Sequence, residues 1–81
     1  MHKKIAFHPY ARYKMDKREI SESEVIETMA NPDSVEGGKF DRKIAPKRYG
    51  RYLLRVIFEE YKEHALVITA YPARAERYLR G

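Results

Sequence analysis

His8 and Arg12 lie four residues apart in a stretch that reads as helix, and Arg18 follows at its end. Residues at that spacing are neighbours on one helix face. An imidazole beside fixed cations is the equipment for cleaving RNA without a metal. A general base takes the 2′-hydroxyl proton, the oxygen attacks the adjacent phosphate, and cations stabilise the charge of the pentavalent phosphorane. Histidine suits the proton step because its charge changes near neutral pH. A plainer reading stands beside this one: His8 starts a helix and Arg12 runs along its solvated side. Spacing alone favours the plainer reading.

The elements that must position these groups follow in order. Residues 3–7 alternate and predict a short edge strand. Pro9 sits where a first helical position tolerates it, because the N–H it lacks has no intrahelical partner there. Residues 9–17 therefore predict the first helix. His8 would be its N-cap, a place histidine fills poorly, which leaves packing to hold that helix. The second helix opens on Ser21-Glu22-Ser23-Glu24, a capping box in which Ser21 and Glu24 satisfy each other's backbone N–H. Ile20 and Val25 stand where a hydrophobic staple would place them, and Val25, Ile26 and Met29 supply the apolar stripe. Asn31-Pro32 ends the helix, since the residue before proline avoids the α region. From Ser34 the punctuation changes to strands and turns. Gly37-Gly38 marks a turn or bulge, and residues 43–49 read as a strand that Pro46 demotes to an edge or a loop. Residues 52–59 and 65–71 are strands joined by a charged turn at Tyr61-Lys62-Glu63, with Pro72 expected to stop the second. Two helices packed on an antiparallel sheet of about four strands predict a two-layer α+β fold. Residues 1–72 make the domain and residues 73–81 a basic tail or short helix.

Alternation in the two clear strands bears on the site. Leu54, Val56 and Phe58 share one face of the first, and Arg55 lies on the other. In the second, Leu66, Ile68 and Ala70 share a face, with Val67, Thr69 and Tyr71 opposite. Aligning the two apolar faces sets an even residue across from an even one, which needs an odd-length turn or a bulge. Arg55, Thr69 and Tyr71 then emerge on the same side.

Composition bounds the rest. A chain of 81 residues is one domain, and at this size it buries only about 60–65 % of its unfolded surface. The absence of cysteine excludes a disulfide staple and a thiolate zinc site. Three scattered histidines lack ligand spacing, so neither metal nor cofactor is expected. No apolar run reaches membrane-spanning length, and the basic start has no apolar stretch behind it, so a cytoplasmic location is expected. Seventeen Lys and Arg against twelve Asp and Glu give +5, a field that draws in polyanions. The basic residues gather at positions 39–55 and 74–80 and the acids at 19–27, which predicts one basic and one acidic face. Tyr49, Tyr52, Tyr71 and Tyr78 are interleaved with the basic residues and suit base stacking along a phosphate track.

The pattern His8-x-x-x-Arg12, Arg18-x-Ile20, Val25, Asn31-Pro32-Asp33, Leu54-Arg55-Val56 and Val67-Ile68-Thr69-Ala70-Tyr71 resembles a family of small prokaryotic domains of unknown function. That family is grouped with the RelE-like toxins, in the set that includes barnase, EndoU and colicin nuclease domains. The resemblance spans about residues 5–72. It implies a RelE-like fold, a metal-independent ribonuclease activity and a neighbouring small acidic antitoxin. Its polar signature falls on His8, Arg12, Arg18, Arg55 and Thr69. Pro9 and Glu19 depart from the family's pattern, at the start of the first helix and beside Arg18.

The expected site follows. His8 is the general acid/base, with Arg12, Arg55 and Thr69 in the catalytic group; Arg18, Arg48, Tyr49, Tyr71 and Arg74 hold RNA. The resulting expectation is a ribonuclease toxin of a toxin–antitoxin pair. Two alternatives remain open from sequence: an RNA-binding module that does not cleave, and a protein-interaction domain whose charge keeps it soluble.

Overall fold

The computed structural model describes residues 4–74. Its elements run β1 (Lys4–Phe7), α1 (Pro9–Lys17), α2 (Glu22–Ala30), β2 (Glu36–Gly37), a 3-10 turn (Lys39–Asp41), β3 (Lys43–Tyr49), β4 (Tyr52–Glu60) and β5 (His64–Arg74). The fold is α+β, but the sheet has five strands in the order β1-β5-β4-β3-β2 and is mixed. The expected antiparallel sheet of about four strands is corrected on both counts. β2 is a two-residue addition to β3. β1 lies parallel to β5, pairing Lys4 to His64 and Phe7 to Val67. A parallel partner reached through the rest of the chain leaves no local sequence signal.

Both helices cover one face of the sheet, α1 on β5 and α2 on β3 and β4. Between them lie Ala11, Met15, Val25, Leu54, Val56, Val67 and Ala70, all buried. Ala45, Phe58 and Ala65 extend this core under Met29. The α2 stripe is Val25, Thr28 and Met29 rather than Val25, Ile26 and Met29. Ile26 is 45 % exposed, while Thr28 is fully buried. The Thr28 hydroxyl donates to the Glu24 carbonyl at 2.8 Å and meets the Tyr49 hydroxyl at 3.1 Å, which satisfies a polar group in a dry place. The α2 capping box forms as the sequence spells it.

Two prolines sit inside strands. Pro46 lies in the middle of β3, but β2 pairs only Lys43 and Ile44, so at Pro46 that strand is an edge. Pro72 does not stop β5, which continues to Arg74. Beyond Val67, β1 no longer pairs with β5, so Pro72 also sits on an edge, where a missing N–H is tolerated. The residues after Arg74, where a short helix was expected, lie outside the described residues. Gly50, at φ +63°, opens the two-residue turn between β3 and β4, a place that favours glycine.

The β4–β5 register carries a bulge. Ile57 pairs with Thr69 and Phe58 with Val67, so Ile68 is the extra residue. The bulge reverses the parity of β5 midway. Arg55 therefore faces Tyr71 across the ladder, Ile57 faces Thr69, and Val56 faces Ala70. Arg55, Thr69 and Tyr71 share the face away from the helices, as alternation required. The bulge corrects the rest of the expected pattern: Ala65, Val67 and Ala70 face the core, while Leu66 aligns with Glu59 on the second face.

Candidate nucleic-acid interface

The second face of the sheet brings together cations, an aromatic ring and a hydroxyl. Arg55 projects from β4 between Pro46 on β3 and Tyr71 on β5. Its guanidinium carbon stands 5.7 Å from the centre of the Tyr71 ring. Arg18, the C-cap of α1, reaches over the β5 edge. It donates to the Ala70 carbonyl at 2.8 Å and to the Thr69 hydroxyl at 3.3 Å, and its guanidinium carbon lies 6.0 Å from the same ring. The edge carbonyl that β1 leaves unpaired is thus what anchors Arg18. Two planar cations on one tyrosine form a compact, electropositive, stackable surface.

His8 stands elsewhere on this face. It is the N-cap of α1, and its Nδ1 accepts from the Tyr10 N–H at 3.0 Å. Histidine is a poor cap by statistics, yet here it caps, so the expectation that packing alone holds the helix is corrected. A ring whose Nδ1 accepts carries its proton on Nε2 when neutral. His8 lines an open cleft of about 450 Å³ with Tyr10, Arg42, Glu59, Leu66 and Ile68. Glu59 lies four residues from Arg55 along β4, a separation of about 13 Å at the strand's rise.

Other expected site residues separate from this group. Because His8 is an extended cap and not the first residue of the helix, it does not share a face with Arg12. Arg12 pairs with Glu22 at the start of α2 and lies 5.1 Å over the Phe7 ring. Tyr49 and Arg74 occupy the helix side of the sheet, where Tyr49 packs on the core and Arg74 aligns with Tyr52. The site brings together Arg18, Arg55, Thr69 and Tyr71; it does not bring in Arg12, Tyr49 or Arg74. Arg48 is on the second face, aligned with Leu53, and its Nε donates to the Gly50 carbonyl at 2.9 Å in the turn. Burial pushes up the hydroxyls of Tyr49 and Tyr52, and the Glu24 carboxylate adds to both.

Sequence reading missed the cleft's charged wall. Arg42 Nε donates to Glu59 at 3.1 Å, and the Tyr61 hydroxyl donates to Glu59 at 2.7 Å. These hold the Glu59 carboxyl below the usual carboxylate range, Tyr61 first and Arg42 second. The reverse effect raises Tyr61, chiefly through its bond to Glu59. The signal was present: Lys43 pairs with Phe58, so the next rung sets Arg42 opposite Glu59, and opposite charges across a ladder pair. Tyr61 stacks on His64 at 4.8 Å. Among the described residues, no group of three or more His, Asp or Glu is placed to hold a metal ion, and no helix is long and apolar enough to cross a membrane.

No curated protein matches the chain, and no solved structure matches it. The family match covers residues 7–72, from the end of β1 through Pro72, and so takes in the whole of the Arg18–Arg55–Tyr71 face. The chain belongs to the family described as Domain of unknown function (DUF4258).

Proposed function

We propose that this domain binds single-stranded RNA across the second face of its sheet. The observation that carries the reading is the convergence of Arg18 and Arg55 on Tyr71, beside the Thr69 hydroxyl. Guanidinium forks match phosphate oxygens, and a tyrosine beside them offers a base a stacking partner. The formal charge of +5 favours encounter with such a ligand.

The more specific version is that of the resemblance: a RelE-like, metal-independent ribonuclease, the toxin of a toxin–antitoxin pair. The same convergence favours it, because two cations on one phosphate would stabilise a phosphorane formed by 2′-hydroxyl attack. His8 enters this version through Nε2 alone while Nδ1 caps α1, so as general base it must first leave its cap. An acidic segment of an antitoxin is the natural cover for this face.

The test is labelled single-stranded RNA in EDTA with the wild type, Arg55→Ala and His8→Ala. Salt-sensitive retention that Arg55→Ala weakens supports RNA binding. Products with 2′,3′-cyclic ends, lost in both variants, add cleavage. Retention without products leaves a binding module, and no retention at moderate salt sinks the whole reading.

A further inference from the structure

The cleft beside His8 lies on the same face as Arg55 and Tyr71 and has a chemistry of its own. Its floor is apolar: Leu66 and Ile68, brought side by side onto this face by the bulge, are only partly buried. Its wall is a paired carboxylate and guanidinium, Glu59 and Arg42, whose side chains remain 28 % and 36 % exposed. Its rim is Tyr10 and His8. The contact of His8 Nδ1 with the Tyr10 N–H leaves Nε2–H as the ring's remaining donor.

A planar ring resting on that floor would present its edge to adjacent acceptor and donor groups. One Glu59 oxygen accepts from Tyr61 and the other from Arg42, and each keeps a second lone pair. A carboxylate so held takes two parallel N–H donors. Arg42 spends its Nε on Glu59, and the two terminal nitrogens of its fork are further donors. Among the four bases only guanine sets two neighbouring N–H donors, N1 and N2, beside acceptors at O6 and N7. Adenine and cytosine offer a single amino group there, and uracil a single N–H between two carbonyls. Arginine on O6 and N7 is the commonest guanine contact, and single-stranded RNA exposes the edge that Glu59 would read.

We infer that the Arg42–Glu59 cleft is a guanine-recognition pocket, which gives the RNA surface a base preference set about 13 Å along β4 from Arg55. Glu59 reads the N1 and N2 donors, Arg42 the O6 acceptor, and Leu66 and Ile68 carry the ring. This inference rests on the RNA reading for its biological substrate but not for its chemistry, since the free nucleotide suffices to test it.

The experiment titrates the full chain with 5′-GMP, AMP, CMP and UMP, following the methyl resonances of Leu66 and Ile68. A second series uses the pentanucleotides UUGUU and UUAUU. GMP is expected to bind tightest and to move both methyl groups, with a preference over AMP of roughly tenfold or more, the size of one good bidentate contact. Glu59→Gln, which exchanges one acceptor for a donor, should erase the preference for GMP over AMP. Arg55→Ala should weaken both pentanucleotides alike and leave the GMP preference intact. Equal affinities for the four mononucleotides, or GMP shifts that map away from Leu66 and Ile68, overturn the pocket. Pentanucleotides that bind without a guanine preference overturn it too, while the RNA surface stands. GMP selectivity without pentanucleotide binding keeps the pocket and sinks the RNA surface.

Discussion

Tyrosines sit on both faces of one sheet and are used differently on each. Tyr49 and Tyr52 lie on the helix side, stacked on each other at 6.0 Å. Their hydroxyls are spent within the fold, on Thr28 and Glu24. Tyr71 lies on the other side, and its neighbours are two guanidiniums. The same residue type closes a core on one face and opens a charged surface on the other. The difference is one of strand parity: Tyr49 and Tyr52 pair with each other at the end of the ladder that carries Leu54 and Val56 inward, whereas Tyr71 pairs with Arg55.

The largest expected effect breaks the comparison if it fails. Leu54→Ala removes a fully buried core side chain and should cost about 2–5 kcal/mol. In a domain of this size that lowers the thermal midpoint by more than about 10 °C. Tyr71→Ala should barely move the midpoint and should instead weaken RNA binding by about 1–3 kcal/mol, the worth of one stacked base. Thermal melts and a filter-binding titration on the same two proteins decide the matter. A Tyr71 variant that melts as early as the Leu54 variant would make the second face a core.

Much of this arrangement was legible in the sequence. The capping box at Ser21 and Glu24 places α2 because its signal is local. Alternation put Arg55, Thr69 and Tyr71 on one side because β4 and the later half of β5 keep a strict period of two. What could not be read depends on contacts distant in the chain. The β1–β5 pairing joins Phe7 to Val67, and only that pairing shows why the β5 edge opens at Ala70 for Arg18. The bulge at Ile68 flips Leu66 off the core, and nothing in Leu66-Val67-Ile68-Thr69 marks where the extra residue falls. His8 was misplaced for a conformational reason: helical spacing to Arg12 presumes that His8 is helical, and its ψ of 144° turns it away.

A smaller effect sharpens the helix side alone. Thr28→Val keeps the shape of the buried side chain but leaves the Tyr49 hydroxyl without its threonine partner. The expected cost is about 0.5–1.5 kcal/mol, the net contribution of one hydrogen bond, because Glu27 also reaches the Tyr49 hydroxyl. Tyr49→Phe should cost less in the Thr28→Val background than in the wild type, because the shared bond is already gone. A denaturant melt of the two single variants and the double variant reads the coupling. Additive losses would mean that the two hydroxyls do not act on each other.

Titration of the tyrosines and of Glu59 should weaken the fold at opposite ends of the pH scale, with Tyr61 adding to the alkaline limb. Tyr49 and Tyr52 have hydroxyls raised above the ordinary tyrosine value. Their contribution is fully present below about pH 10, where the unfolded chain ionises, and is lost as pH rises through the folded values. Glu59 is shifted the other way, by Tyr61 and Arg42. Its contribution is present above about pH 4.3 and is lost as pH falls through the lower folded value. Thermal melts against pH should therefore show an alkaline decline that Tyr49→Phe reduces and an acid decline that Glu59→Gln reduces. A variant that flattens the wrong limb would refute the assignment of that group.

The smallest expected effect concerns Arg12, which the sequence placed in the site and the fold holds outside it. Its pair with Glu22 is a surface pair, with side chains 57 % and 46 % exposed, and such pairs contribute about 0–1 kcal/mol. Arg12→Ala should therefore leave the thermal midpoint nearly unchanged. It removes one positive charge from the molecule but no group from the Arg18–Arg55–Tyr71 face. The slope of log affinity against log salt should then match the wild type's, whereas Arg55→Ala should make it shallower by about 0.7, the value for one phosphate contact on a single strand. If Arg12→Ala flattens the slope as much as Arg55→Ala does, RNA must pass over α1 as well, and the phosphate track would then run around the β5 edge rather than along the open face.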